Sequence, residues 1–294
     1  MRIRRGMAYY TNELTFEPNV DLHDSTAHRL EGKGHDGPVR VLVLRAKSPA
    51  GSRLDEVVER QLRKERVAVE GFEILGSRAV EAAGVPALDI SLQYVAGKSD
   101  CYQRDLHFMR DGVLFRLGST GTMQDRDTVD DVVDRALSSL RWRDAVHGHR
   151  RSSNATYWTN DLSFELSDYR FTDLTIHLFE SIEKDEPSGF TLARAPVPTI
   201  GFVEATTQLL KSESRRLQRH ETLRKSELGR DSVDAIDVAD RFRLNGTLVY
   251  RRSLHFVVDG TWIQASAMGP MAAAADCDVV VDGLVATMRP RAAA

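Results

Sequence analysis

Tyr9-Tyr10-Thr11-Asn12-Glu13-Leu14-Thr15-Phe16-Glu17 returns as Tyr157-Trp158-Thr159-Asn160-Asp161-Leu162-Ser163-Phe164-Glu165, a shift of 148 residues. The shift persists downstream. Leu106-His107-Phe108 recurs as Leu254-His255-Phe256, Asp111-Gly112 recurs as Asp259-Gly260, and Leu140-Arg141-Trp142-Arg143 stands opposite Met288-Arg289-Pro290-Arg291. A period this long exceeds the roughly 20–50 residues of a solenoid unit, so each copy is expected to own a core. The chain therefore divides into a first repeat of residues 1–144, a linker of 145–155 and a second repeat of 156–294. The two repeats are expected to pack with pseudo-two-fold symmetry, so that a single chain acts as a monomeric, intramolecular pseudo-dimer.

Composition agrees. Across 294 residues, 41% hydrophobic and 28% charged side chains suit two soluble globular domains. A net charge of −3 gives no electrostatic reason to expect nucleic acid. The opening Met1-Arg2-Ile3-Arg4-Arg5 is not followed by an apolar signal region, and no stretch approaches the ~18 apolar residues of a membrane span. The expectation is a cytoplasmic protein with no stable membrane insertion. Cys101 and Cys277 stand opposite Val249 and Val129 of the sister repeats, which marks both as small packing residues rather than a disulfide or a metal cage.

In the first repeat the hydrophobic period alternates between 2 and 3.6. Residues 8–17, 25–31 and 39–46 read as strands, residues 54–67 as a helix, and residues 72–82, 86–95, 100–110 and 113–119 as further strands. Arg110-Asp111-Gly112 is a hairpin signal. A closing helix, capped by Asp127 or Thr128, carries the stripe Val129, Val132, Val133, Ala136, Leu137 and Leu140. The second repeat follows the same plan, with extended segments 174–180 and 190–195, a helix over about 200–218, four strands and a last helix. Each copy is expected to be an α+β unit, an antiparallel sheet with its helices packed on one face.

Catalytic signatures are missing: there is no Gly-x-Ser-x-Gly elbow, Walker loop, His-Glu-x-x-His or Rossmann fingerprint, so the chain reads as a non-enzyme without a cofactor. His107 and His255 are equivalent, as are His28 and His177 with one residue of slippage, but no Cys, Asp or Glu accompanies them at ligand spacing. They are expected to be solvated or hydrogen-bonded on an open sheet face. The basic run Arg215, Arg216, Arg219, His220, Arg224 and Lys225 is either a solvated face favoured by a helix C-terminus or a phosphate site. Gln61 sits inside the apolar arc of its helix, where its amide needs partners, either from a ligand or from its own sheet. In Leu174-Thr175-Ile176-His177-Leu178-Phe179 both strand faces carry bulk, so either both are covered within the domain or one awaits a partner.

The order of elements, the Arg60-Gln61-Leu62 helix followed by Gly71-Phe72, the Asp173-Leu174-Thr175-Ile176-His177-Leu178-Phe179 strand and the closing helix ending in Leu140-Arg141-Trp142 together resemble the DcrB-like domains. Within them, the chain resembles the Eag-type chaperones of type VI secretion effectors. The resemblance implies a cytosolic export chaperone that shields the hydrophobic N-terminal transmembrane segments of an effector in a cradle of two sheets. The alternative is a DcrB-like binding or structural module unrelated to secretion. Carried across residue by residue, the effector-binding positions are Ile176 and Leu178, Gln61 and Gln208, and Asp105 and Ser253, the last pair replacing an amide. The first repeat departs from the pattern by placing Ala27 and Arg29 where the second has Ile176 and Leu178.

Overall fold

Strands of period 2 and helices of period 3.6 occur in the expected order along both repeats, yet the spatial units are not the sequence repeats. The computed structural model describes residues 2–11, 14–143, 156–166, 171–181, 189–230 and 233–290; the linker expected at 145–155 lies outside them. One compact unit, here the middle unit, is Ala27–Leu174; the other, the split unit, joins Met1–Thr26 to Thr175–Arg291.

Among the described residues, the middle unit has a seven-stranded antiparallel sheet. Its spatial order is Phe171–Asp173, His28–Lys33, Pro38–Lys47, Val113–Thr122, Ser99–Arg110, Val85–Ala96 and Glu73–Ala82. It carries α1 (Leu54–Ala68) and α2 (Arg126–Ser139). The split unit has an eight-stranded sheet ordered Arg2–Ile3, Leu22–Asp24, His177–Ser181, Gly189–Pro196, Thr261–Pro270, Thr247–Val258, Val233–Leu244 and Gln218–Arg230. It carries α3 (Phe202–Arg216) and α4 (Ala274–Thr287). Asp111-Gly112 and Asp259-Gly260 turn their hairpins with both residues at positive φ (51° and 74°, 47° and 72°), the geometry that matches the strand twist.

Cross-strand register decides which residues share a face. Leu106 stands opposite Leu117, and Phe108 opposite Phe115; on this face the stripe Val132, Val133 and Ala136 of α2 is fully buried. Each such valine, leucine or phenylalanine contributes about 1.5–3 kcal/mol by leaving water. Asp105, His107 and Met109 point the other way. There α1 meets the sheet through Val58, packed with Ile90 and Leu114. The α+β antiparallel class is as expected, but the helices of the middle unit flank the sheet on both faces rather than one. The second face was hidden in the sequence because its apolar contacts alternate with the charges Glu65, Asp105 and Arg116. The closing helix also begins earlier than expected: a short 3-10 turn, Met123–Asp125, leads into it, and Thr122 and Asp125 form a reciprocal capping box in place of Asp127 or Thr128.

The split arises from the two copies of the opening nonapeptide, each of which forms a small three-stranded sheet with the strand that follows the other repeat's closing helix and packs against that helix. Tyr9–Tyr10 and Leu14–Phe16 form a hairpin that pairs with Arg289–Pro290, and Tyr9, Leu14 and Phe16 enter the core with Cys277, Val281 and Leu284 of α4. The Glu17 amide donates to Thr287 Oγ1 at 3.0 Å, and Asn19 Nδ2 donates to the Val279 carbonyl at 2.6 Å. In the middle unit, Thr156–Trp158 and Leu162–Glu165 do the same against α2, with the Glu165 amide donating to Ser139 Oγ at 2.8 Å. Ser139 and Thr287 are repeat equivalents, as are Glu165 and Glu17. The exchange is therefore reciprocal.

Candidate functional site

Leu178 stands opposite Thr191, Thr191 opposite Ser266, and Ser266 opposite Ser253, one row across the split-unit sheet. Ile176 shares the side of Leu178 by strand alternation. Ile176 is 49% exposed, Leu178 42% and Met268 37%, while Ser253 is buried and its hydroxyl shares a 2.8 Å hydrogen bond with Ser266. Small and hydroxyl side chains thus form the centre of the row, with apolar ones at its rim. The opposite side of the same strand is closed. Phe179 is buried against Tyr9, Phe16 and Phe190, with ring centroids 4.9, 6.2 and 5.4 Å apart.

The matching row of the middle unit is Arg29, Leu42, Gly118 and Asp105. Arg29 is exposed and pairs with Glu31 at 3.2 Å. Asp105 is buried, and its carboxylate lies where a Cβ at residue 118 would sit, so Gly118 belongs with Asp105 as Ser266 belongs with Ser253. Asp105 Oδ2 accepts from Arg116 Nη2 and Gln103 Nε2, each at 2.8 Å; Arg116 Nη1 donates to Glu65 at 2.7 Å, and Gln61 Nε2 donates to the same Glu65 oxygen at 3.0 Å. Gln61 and Asp105 are thereby joined in one chain that pins α1 to its sheet.

In the split unit, Glu213 takes the part of Glu65. It accepts from Arg251 at 3.1 and 2.7 Å, Arg251 bonds Asp240 at 2.5 and 3.1 Å, and Asp240 meets His220 at 3.0 Å. The clamp is conserved in form although its arginine comes from a different strand. Because α1 and α3 are of equal length and Glu65 matches Glu213, Gln208 stands at the place of Arg60 rather than of Gln61. That one-residue offset turns it outward, where it donates only to Glu204, at 3.3 Å. The structure therefore brings Ile176, Leu178 and Ser253 to one face, ties Gln61 to Asp105, and leaves Gln208 on the outer surface of α3.

His107 and His255 overturn the expectation of an open face. Both are 1% exposed, beneath α1 and α3, and neither ring nitrogen of either has a hydrogen-bond partner among the described residues. Burial lowers both pKa values, that of His255 to about 4, with Glu213 and Asp240 opposing and Arg251 reinforcing the effect. A histidine kept neutral in the fold but free to protonate when unfolded costs stability as pH falls from about 6.5 towards 4. His255→Leu is therefore expected to lose about 2 kcal/mol less than the parent chain between pH 7 and pH 5. Thermal unfolding at both pH values checks this; an identical pH dependence would mean that the imidazole is not held neutral.

His28 and His177 hydrogen-bond instead. Tyr157 meets His28 Nδ1 at 3.2 Å, and Tyr9 meets His177 Nδ1 at 3.1 Å, which ties each exchanged hairpin to its host. Among the described residues no three or more His, Cys, Asp or Glu side chains are placed to hold a metal ion. Cys277 is buried in the split-unit core and Cys101 is partly exposed.

The sequence reading missed a pair of buried arginines. Arg104 Nε and Nη2 fork onto Asp89 at 2.9 and 2.8 Å, Nη2 also reaches Asp134 at 2.6 Å, and Nη1 reaches Asp130 at 3.3 Å. Arg252 repeats this with Asp237 at 3.0 and 2.8 Å, Asp282 at 2.8 Å and the Asp278 carbonyl at 3.2 Å. Tyr102 and Tyr250 donate to Asp130 and Asp278 at 2.8 and 2.7 Å. Burial pushes Asp89 up, but hydrogen bonds from Arg104 and Arg78 prevail and hold it below the usual carboxylate range. All of Asp89, Tyr102, Arg104, Asp130 and Asp134 recur at the 148-residue shift, a signal present in the sequence. These saturated forks join α2 and α4 to their sheets.

Residues 13–139, less than half of the chain, match the model of the DcrB family, placing a DcrB domain in the first repeat. No curated protein sequence matches the chain. The fold is similar to the apo structure of TplEi, an immunity protein of T6SS from Pseudomonas aeruginosa, with a TM-score of 0.57 and 12% identity over 97% of each chain. It is similar to a chain of the Tle4–Tli4 complex, with a TM-score of 0.57 and 13% identity over 97% of each. TplEi bound to "L" peptide, also from P. aeruginosa, matches with a TM-score of 0.54 and 13% identity over 98% of this chain and 99% of that one. At these identities the likeness is one of fold, and it runs through both repeats.

Proposed function

We propose that this chain is a non-enzymatic protein that binds a type VI secretion effector on the split-unit face bearing Ile176 and Leu178. The observation that carries the reading is the exposure of two large apolar side chains on one side of a strand whose other side is fully packed. Exposed apolar surface of that kind is a docking signature. Likeness along nearly the whole chain to an immunity protein of T6SS, and to a chain of the Tle4–Tli4 complex, supports the choice of partner. The chain acts as a monomer, each repeat supplying what a second subunit would.

Two uses of such a face are distinguishable. Shielding an effector's N-terminal transmembrane segment in the cytoplasm, as an export chaperone, suits the apolar pair. Occluding the folded body of an effector, as an immunity protein, suits a face that mixes apolar and hydroxyl side chains. A membrane helix presents about 20 apolar residues, whereas here Ile176, Leu178 and Met268 are exposed on one sheet and the matching row of the other unit is charged. The geometry favours the second use. Ile176→Asp/Leu178→Asp is expected to abolish co-purification of an effector encoded beside this gene, because burying two unpaired carboxylates costs several kcal/mol. Ala27→Asp should leave capture intact, with circular dichroism as the folding control. Equal loss from both variants would overturn the assignment of the face, and capture of an isolated apolar N-terminal segment rather than the effector body would favour the chaperone.

A further inference from the structure

On the outward side of α3, Gln208, Lys211, Ser212, Arg215 and Arg216 line one open concavity of about 590 Å³. No carboxylate lines it. Lys211, Arg215 and Arg216 are exposed and make no ion pair among the described residues, whereas Arg104, Arg116, Arg251 and Arg252 are all saturated by carboxylates. The nearby acids are occupied: Glu213 is turned inward onto Arg251, and Glu204 accepts from Gln208.

The helix C-terminus favours cations only in its last turn, which accounts for Arg215 and Arg216 but not for Lys211 a turn earlier. Lys211 and Arg215 are four residues apart, so they repel each other along the helix, and among the described residues no carboxylate pairs with either. At the equivalent positions of α1 stand Arg63, which pairs with Glu59 at 2.5 Å, and the uncharged Val67 and Ala68. The first repeat has no cation at two of the three positions, although α1 carries its own exposed Arg60 and Lys64 elsewhere on the helix, and the α3 stripe lies in a chain of net charge −3. Three cations in one short concave stripe are too few to follow the backbone of a duplex, whereas forked guanidiniums suit individual carboxylates. We infer that the outer face of α3 docks an acidic segment of a protein partner through Lys211, Arg215 and Arg216. That the partner is a protein rests on the effector-binding reading above; the face is separate from Ile176 and Leu178.

The experiment follows binding of a fluorescein-labelled peptide of alternating glutamate and serine to the full chain by anisotropy, at low and at physiological salt. Lys211→Glu/Arg215→Glu/Arg216→Glu is expected to weaken binding at least about tenfold, the scale of three exposed charge pairs lost together. Arg63→Glu/Lys64→Glu on α1 should leave it unchanged. Should the reversal variant misfold by circular dichroism, the triple glutamine variant is read in its place and should weaken binding in the same direction. Equal weakening by the α1 variant, or none by the α3 variants, overturns the inference. So does tighter α3-dependent binding of duplex DNA or of phosphatidylglycerol vesicles, which would name a different partner class. Peptide binding retained by Ile176→Asp/Leu178→Asp is the expected result. If that variant also retains the effector, the apolar face fails on its own while the acidic-segment site stands.

Discussion

Deletion of residues 1–26 is expected to leave the split unit unfolded while the middle unit keeps its structure. The deleted segment supplies Tyr9, Leu14, Phe16 and Leu22 to the split-unit core, all 3% exposed or less. Large-to-small changes at such sites cost about 2–5 kcal/mol each. Losing four at once costs about 8–20 kcal/mol, as much as or more than the 5–15 kcal/mol that holds a typical domain together. Limited proteolysis with mass spectrometry separates the outcomes: rapid cleavage within 189–290 and protection within 28–143 is expected. Protection of both regions would mean that the hairpin is dispensable and the units are drawn too wide.

Arg252→Met is expected to destabilise the split unit by about 3 kcal/mol, since it leaves Asp237, whose side chain is 4% exposed, with only the half-exposed Arg224 at 3.5 Å in place of its forked partner. Asp278 and Asp282 keep water and add little to the loss. Arg252→Met/Asp237→Leu should recover much of it, because removing both charges also removes the burial penalty. Urea denaturation midpoints of the three proteins decide the matter. A single variant within 1 kcal/mol of the parent would mean that the cluster holds nothing in place.

Much of this architecture was legible from residue spacing. The stripe of α2 and the Asp-Gly hairpins form where the sequence places them, because each depends on neighbours within one helix turn or one turn of chain. Gln61 was recognisable as an amide inside an apolar arc, and its partner Glu65 stands four residues on. The second face was not legible, since Glu65, Asp105 and Arg116 come from three elements and look like surface charges until folding sets them side by side. The exchange of hairpins was hidden for the opposite reason. Two nearly identical nonapeptides face two nearly identical grooves, so the repeat identifies the fit without saying which hairpin enters which groove. The open side of the Ile176 and Leu178 strand was undecided for the same cause, because the ring cluster that closes its other side is delivered by Tyr9 and Phe16.

The crossed hairpins also set a timetable for synthesis. A ribosome adding ~5–20 residues per second releases Tyr9 and Phe16 roughly 15–55 s before Thr287, the residue that holds Glu17, is made. Throughout that interval the aromatic hairpin lacks the groove it fills in the folded chain, while the groove of the first repeat, built by Trp142, stands open for about 1–5 s until residues 156–166 emerge. The nascent chain therefore carries an adhesive N-terminus and an open acceptor together, and on crowded polysomes neighbouring chains can trade hairpins before either closes on itself.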